Sequence, residues 1–190
     1  HAEDRWIFLD LTFVPLLESL QERLRTVEGY VIMTDRDHMP ATALRNVVCY
    51  EDLMADGADD FAWPKLDENS ACGMCYTSGT TGKPKGVVYS HRSNVLHAMA
   101  ATAADALCLS SRDTLMPVVP MFHANAWSLA FSGPMAGAKL VLPGAKMDGA
   151  SIYELLDAEK VTCSAAVPTI WMMLLQFLEQ NPGLELPHLE

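Results

Sequence analysis

Tyr76-Thr77-Ser78-Gly79-Thr80-Thr81-Gly82-Lys83-Pro84-Lys85-Gly86 places four serine and threonine hydroxyls, three glycines and two lysines in eleven residues. Glycines let backbone N–H groups approach an anion, hydroxyls add donors and lysines add charge. The stretch is therefore a loop suited to a polyphosphate. No Ser or Thr follows Lys83 or Lys85, so it is not the G-x-x-x-x-G-K-[ST] loop. An ordinary polar hairpin turn would need only two to five residues and no lysine pair. Apolar segments bound the loop on both sides: Ala71 to Tyr76 leads in, and Gly86-Val87-Val88-Tyr89 leads out as a second strand.

Working outward, strands and helices alternate. Strands are expected at Trp6–Leu9, Tyr30–Met33, Asn46–Cys49, Thr114–Val119, Lys139–Leu142 and Val161–Ala165. Helices are expected from Phe13 to Leu24, from Ser93 or Asn94 to Leu107, and over Ala126–Met135, Ser151–Glu159 and Thr169–Leu178. In the second of these, Leu96, Met99, Ala100 and Ala103 are expected to point inward. Asp56 to Glu68 is acidic, contains Pro64 and reads as a surface connection. Such alternation implies an α/β fold, a mostly parallel sheet flanked by helices. The 190 residues are half hydrophobic and sufficient for a real core.

A net charge of −11 is unexpected for a binder of phosphates. Its distribution resolves the conflict. Residues 1–68 carry a net −9 and residues 148–190 a net −6, whereas residues 69–147 carry +4. No Asp or Glu lies between Glu68 and Asp105, so the loop sits in a locally cationic stretch, and local field governs phosphate capture. There is no basic tract of the kind that binds nucleic acid.

Five irregularly spaced cysteines do not make a secretory disulfide framework. Cys72 and Cys75 lack a second Cys/His pair at zinc spacing, and both are expected to be small buried apolar residues. The longest apolar stretch, Val161 to Leu178, contains Pro168 and several polar residues, so no transmembrane segment is expected. No cleavable signal peptide is visible, and a cytoplasmic location is the default.

The second chemical constellation is Pro120-Met121-Phe122-His123-Ala124-Asn125-Ala126-Trp127, directly after the strand Thr114–Val119. Ligands of α/β proteins gather at the carboxyl ends of strands.

Here a resemblance becomes specific. Tyr76 to His91 resembles the ATP-binding signature of the adenylate-forming (AMP-binding) superfamily, which includes acyl-CoA synthetases. Pro120 to Trp127 resembles the aromatic-histidine motif of its medium- and long-chain fatty acyl-CoA synthetases. The Phe8-Leu9-Asp10 and Phe13-Val14-Pro15-Leu16-Leu17 segments are similar to the same branch, as is Ala166 to Met173. Within the large N-terminal domain of that family, the resemblance implies that Ser78, Gly79, Thr80, Thr81, Gly82 and Lys85 bind the ATP phosphates. It implies that Thr77 helps to bind ATP and hold Mg2+, that His123 lines the carboxylate end of the acyl site, and that Trp127 gates the acyl tunnel. His123 and Lys85 would be the catalytic contributors. The implied reaction is ATP-dependent activation of a fatty acid through acyl-adenylate to acyl-CoA, with coenzyme A as co-substrate.

The family's later motifs for adenine, ribose and hinge are missing, as is its C-terminal lid with the adenylation lysine. Residues 1–190 are thus expected to be a fragment of the AMP-binding N-terminal domain, inactive alone. Two alternatives stand beside this reading: a ligase for another carboxylate (aryl or short-chain), and a catalytically inactive nucleotide-binding fragment. Incomplete burial also predicts homo-oligomers or other association through exposed apolar surface.

Overall fold

The computed structural model describes residues 2–77 and 82–189. The chain forms two compact units, His1–Lys65 and Leu66–Glu190.

The first unit is built on three parallel strands, β1 (Trp6–Leu9), β2 (Gly29–Ile32) and β3 (Val47–Cys49), in the order β1-β2-β3. Every residue of the central β2 is buried. Tyr30 and Ile32 pack with Leu9, Val14, Val27 and Leu44. Glycine is required at position 29, because a Cβ there would lie 2.4 Å from the Trp6 ring and 2.9 Å from the Asn46 carbonyl oxygen. The expected helix from Phe13 divides into α1 (Val14–Leu20) and a 3-10 turn, Gln21–Arg23. A short helix α2 (Tyr50–Ala55) occupies a stretch to which the sequence reading assigned no element.

The second unit opens with an antiparallel ribbon, β4 (Ala71–Thr77) paired with β5 (Lys85–Ser90), which the helix α3 (His91–Ala101) follows. The Ser90 hydroxyl accepts from Ser93 N–H at 3.1 Å and caps α3 three to four residues earlier than expected. Ala98 is fully buried, while Leu96 and Met99 are about half exposed. The two cysteines also depart from expectation: Cys72 is exposed and Cys75 only partly buried. Among the described residues β4 and β5 pair only with each other, so no third strand covers their edges.

A parallel sheet follows, β6 (Thr114–Pro117) between β7 (Lys139–Leu140) and β8 (Cys163–Ala165). Alternate β6 side chains enter opposite layers. Leu115 packs with Leu129 of α5 (Leu129–Ala136), whereas Met116 packs with Ile152 and Leu156 of α6 (Gly149–Ala158) and Ile170 and Leu174 of α7 (Pro168–Gln180). A central strand buried on both faces produces a continuous apolar run, and the two i,i+4 pairs give α6 and α7 their inward stripes. At Gly149 a Cβ would lie 2.4 Å from the Met173 carbonyl oxygen, so α6 and α7 meet backbone to backbone. The Asp148 carboxylate caps α6 by accepting from Ser151 N–H at 3.0 Å.

A polar clasp fixes the entry to β6. The Asp113 carboxylate accepts from Ser110 N–H at 2.6 Å, from the Ser110 hydroxyl at 2.9 Å and from the Thr162 hydroxyl at 2.9 Å. These bonds hold the Asp113 carboxyl below the ordinary aspartate range, the Ser110 N–H contributing most.

The segment between β6 and α5 reverses hand. Ala124, Asn125, Ala126, Trp127 and Ser128 all have positive φ, between 47° and 66°. The turn α4 (Ala124–Trp127) is closed by Trp127 N–H donating to His123 C=O at 3.2 Å and Ser128 N–H to Ala124 C=O at 2.8 Å. The right-handed helix expected from Ala126 begins only at Leu129. Left-handed backbone costs L-residues roughly 1–2 kcal/mol each. Ala126 is fully buried and Leu129 1% exposed, so core packing on both sides holds the turn in place.

Candidate functional site

Residues directly opposite in an antiparallel pair project from the same face, and every second residue shares that face. The register pairs Thr77 with Lys85, Cys75 with Val87 and Gly73 with Tyr89. Thr77 and Lys85 therefore emerge side by side at the open end of the ribbon. Cys75 and Tyr89 lie further down the same face. Tyr76 and Gly86 occupy the opposite face, where a Cβ on Gly86 would lie 2.6 Å from the Met74 sulfur. Gly82 adopts φ +76°, a left-handed position that favours glycine. Ser78, Gly79, Thr80 and Thr81 lie outside the described residues.

The local charge follows the sequence reading. Arg92 is paired with Glu68 at 2.8 Å and Lys139 with Glu159 at 2.5 Å. Lys83 and Lys85 are exposed and enter no salt bridge among the described residues. Two cations thus flank the loop without carboxylate partners, as an anion site requires.

A cavity of about 460 Å³ opens on the same face of the ribbon. Its walls are Tyr89 of β5, Ser93, Asn94 and His97 of α3, the left-handed turn from Ala124 to Ser128, and Phe131 of α5. Trp127, 44% exposed, belongs to the wall. The Cys75 thiol donates to Asn125 Oδ1 at 3.5 Å and ties the turn to the ribbon. Lys85 and Tyr89 are four residues apart on one strand, so the cavity wall begins about 13 Å from the open end. Phosphate-type donors and an apolar chamber thus share one surface.

Trp127, the expected gate, lines that chamber. His123 does not line it. It is exposed, at φ −95° and ψ 92°, just before the turn at the carboxyl end of β6. Sequence reasoning missed Tyr89, Asn94, His97 and Phe131. The helical spacings Ser93/His97 and Trp127/Phe131 were visible signals, but only the packing of α3 against α5 makes them face each other. Among the described residues no cluster of three or more His, Cys, Asp or Glu could hold a metal. No helix there is long and apolar enough to cross a membrane.

Comparison with known proteins identifies the family. The medium-chain-fatty-acid–CoA ligase of Ectopseudomonas oleovorans is 49% identical over 175 residues, which cover 92% of this chain and 32% of that protein. The 3-methylmercaptopropionyl-CoA ligase of Ruegeria pomeroyi is 48% identical, again over 92% of this chain and 32% of its own length. The chain thus spans about a third of the relatives it matches. In fold it is similar to the crystal structure of a long-chain-fatty-acid-CoA ligase from Archaeoglobus fulgidus, with a TM-score of 0.81 and 23% identity over 100% of this chain and 35% of that one. The pattern of the AMP-binding enzyme family matches residues 2–190, and the chain belongs to that family.

Proposed function

We propose that this chain is part of the N-terminal domain of a ligase that activates a medium- or long-chain fatty acid, first as acyl-adenylate and then as acyl-CoA. The carrying observation is the shared face: Thr77 and Lys85 at the open ribbon end, and the chamber at Trp127 along the same strands. The acid's carboxylate would attack the α-phosphorus of ATP and expel pyrophosphate. The coenzyme A thiol would then attack the acyl carbonyl, losing its proton and expelling AMP. Both steps concentrate negative charge, which fixed cations and N–H donors stabilise.

In this reading Thr77, Ser78, Gly79, Thr80, Thr81, Gly82 and Lys85 hold the phosphates. Thr77 would offer one hydroxyl to Mg2+, a cation that takes oxygen ligands. The ion supplies charge neutralisation at the phosphates when bound. Lys85 and His123 are the proposed catalytic contributors, and Trp127 would gate the acyl chamber, His123 lying just before the turn that carries it. The chain's own span of a third of its relatives supports a lid and adenine-binding motifs lying in further sequence. A cytoplasmic enzyme is proposed, with self-association through its exposed apolar residues.

The test is Lys85→Ala in the full-length ligase, read by fatty-acid-dependent exchange of pyrophosphate into ATP. A charge-assisted hydrogen bond contributes about 1.5–3 kcal/mol, so exchange should fall roughly ten- to a hundredfold. Wild-type exchange would refute the role. The coverage of only a third favours a second reading, that these 190 residues alone bind nucleotide weakly and catalyse nothing. Calorimetry with MgATP on the chain by itself separates the two, and tight binding would oppose the second.

A further inference from the structure

The chamber beside Trp127 is mostly apolar, yet six polar side chains line it: Tyr89, Ser93, Asn94, His97, Asn125 and Ser128. Three of them already make one hydrogen bond within the protein, and a fourth is buried. The Ser93 hydroxyl donates to Ser90 C=O at 2.9 Å, and Asn94 Nδ2 donates to the Cys72 sulfur at 2.9 Å. Asn125 Oδ1 accepts from Cys75. The Ser128 hydroxyl is buried and has no hydrogen-bond partner among the described residues. The Tyr89 hydroxyl and the His97 ring have no hydrogen-bond partner among the described residues. Tyr89 is half-buried at the ribbon wall, while His97 is one helical turn beyond Ser93 on α3.

Taking the chamber as the acyl site, on which this step rests, we infer that Tyr89 and His97 determine specificity for acids whose chain carries a hydrogen-bonding heteroatom. A plain alkyl chain seated against these groups strips their water and returns nothing, which costs free energy for each group left unpaired. An ether oxygen accepts from the tyrosine hydroxyl or an imidazole N–H. A hydroxyl can in addition donate to the other ring nitrogen. The open wall on the His97 side lets water compete, so discrimination should be graded rather than absolute.

The experiment compares kcat/KM of the full-length ligase for an unbranched alkanoate and for acids of equal length with one CH2 replaced by oxygen or with a terminal hydroxyl. Tyr89→Phe removes only the hydroxyl, His97→Leu removes both ring nitrogens, and His97→Gln restores a donor and an acceptor. The ratio of heteroatom-containing to plain acid should fall about three- to tenfold in Tyr89→Phe and His97→Leu, and recover in part in His97→Gln. A ratio unchanged within about twofold in both loss variants, with thioester still formed, overturns this inference and leaves the acyl reading standing. Thioester formation from none of these acids by the wild-type ligase overturns the acyl reading, and this inference with it.

Discussion

Ser128 is the sharpest place to test the structure. It is 9% exposed, closes the left-handed turn at φ 66°, and its buried hydroxyl has no hydrogen-bond partner among the described residues. A buried, unsatisfied hydroxyl costs roughly 1–3 kcal/mol. Ser128→Ala removes that group while keeping the Cβ and the backbone hand. The chain should become more stable by about 1–3 kcal/mol, or roughly 2–4 °C in Tm per kcal/mol for a chain of this size. Ser128→Gly then isolates the backbone. It relieves left-handed strain of about 1–2 kcal/mol, but loses one buried methylene (about 0.8 kcal/mol) and adds roughly 0.5–1 kcal/mol of unfolded-state entropy. The glycine variant should therefore match the alanine variant to within about 0.5 kcal/mol. At a right-handed buried site such as Ala98, glycine should instead cost about 1–2 kcal/mol. Urea unfolding followed by circular dichroism gives all three values. Destabilisation by Ser128→Ala would mean that the hydroxyl is bonded. A cost at Ser128→Gly equal to that at Ala98 would mean that the turn is right-handed.

Other expectations are as direct. Gly149→Ala should destabilise by about 1–3 kcal/mol in the same unfolding assay, because its Cβ meets the Met173 backbone rather than a movable side chain. Ile152→Ala, at a fully buried position between α6 and β6, should cost about 2–5 kcal/mol. Because the folded state depresses the Asp113 pKa, that carboxylate's contribution is present above its unfolded pKa, near 4, and is lost as pH falls through the folded value. Urea midpoints measured from pH 6 down to pH 2 should therefore decline less steeply in Asp113→Asn than in the wild type, and parallel declines would count against the clasp.

Much of the fold was readable because its signals are local. Short apolar runs bounded by turn and polar residues placed the strands of the described residues to within a few positions. The apolar segments on either side of the Ser/Thr/Gly/Lys loop were read as strands, and β4 and β5 form there, although their antiparallel pairing was not foreseen. Errors arose where the deciding interaction was not local. The buried face of α3 is set by its packing against α5, which takes Ala98 and leaves Leu96 and Met99 about half exposed. Cys72 and Cys75 have the composition of core residues, but a two-stranded ribbon gives them little cover.

By itself, the sequence determined the α/β class, the phosphate-type loop and its cationic surroundings, and the likeness to AMP-binding enzymes, because each rests on residue type and short spacing. The tertiary structure alone decided that Lys85, Tyr89 and Trp127 serve one surface, that His123 stands outside the chamber, and that Ala124–Ser128 winds left-handed. None of those five residues is a glycine that would announce the reversal. The turn is held by burial of Ala126 and by the Cys75–Asn125 bond across fifty residues of sequence, and contacts at that separation leave no periodic trace in the chain.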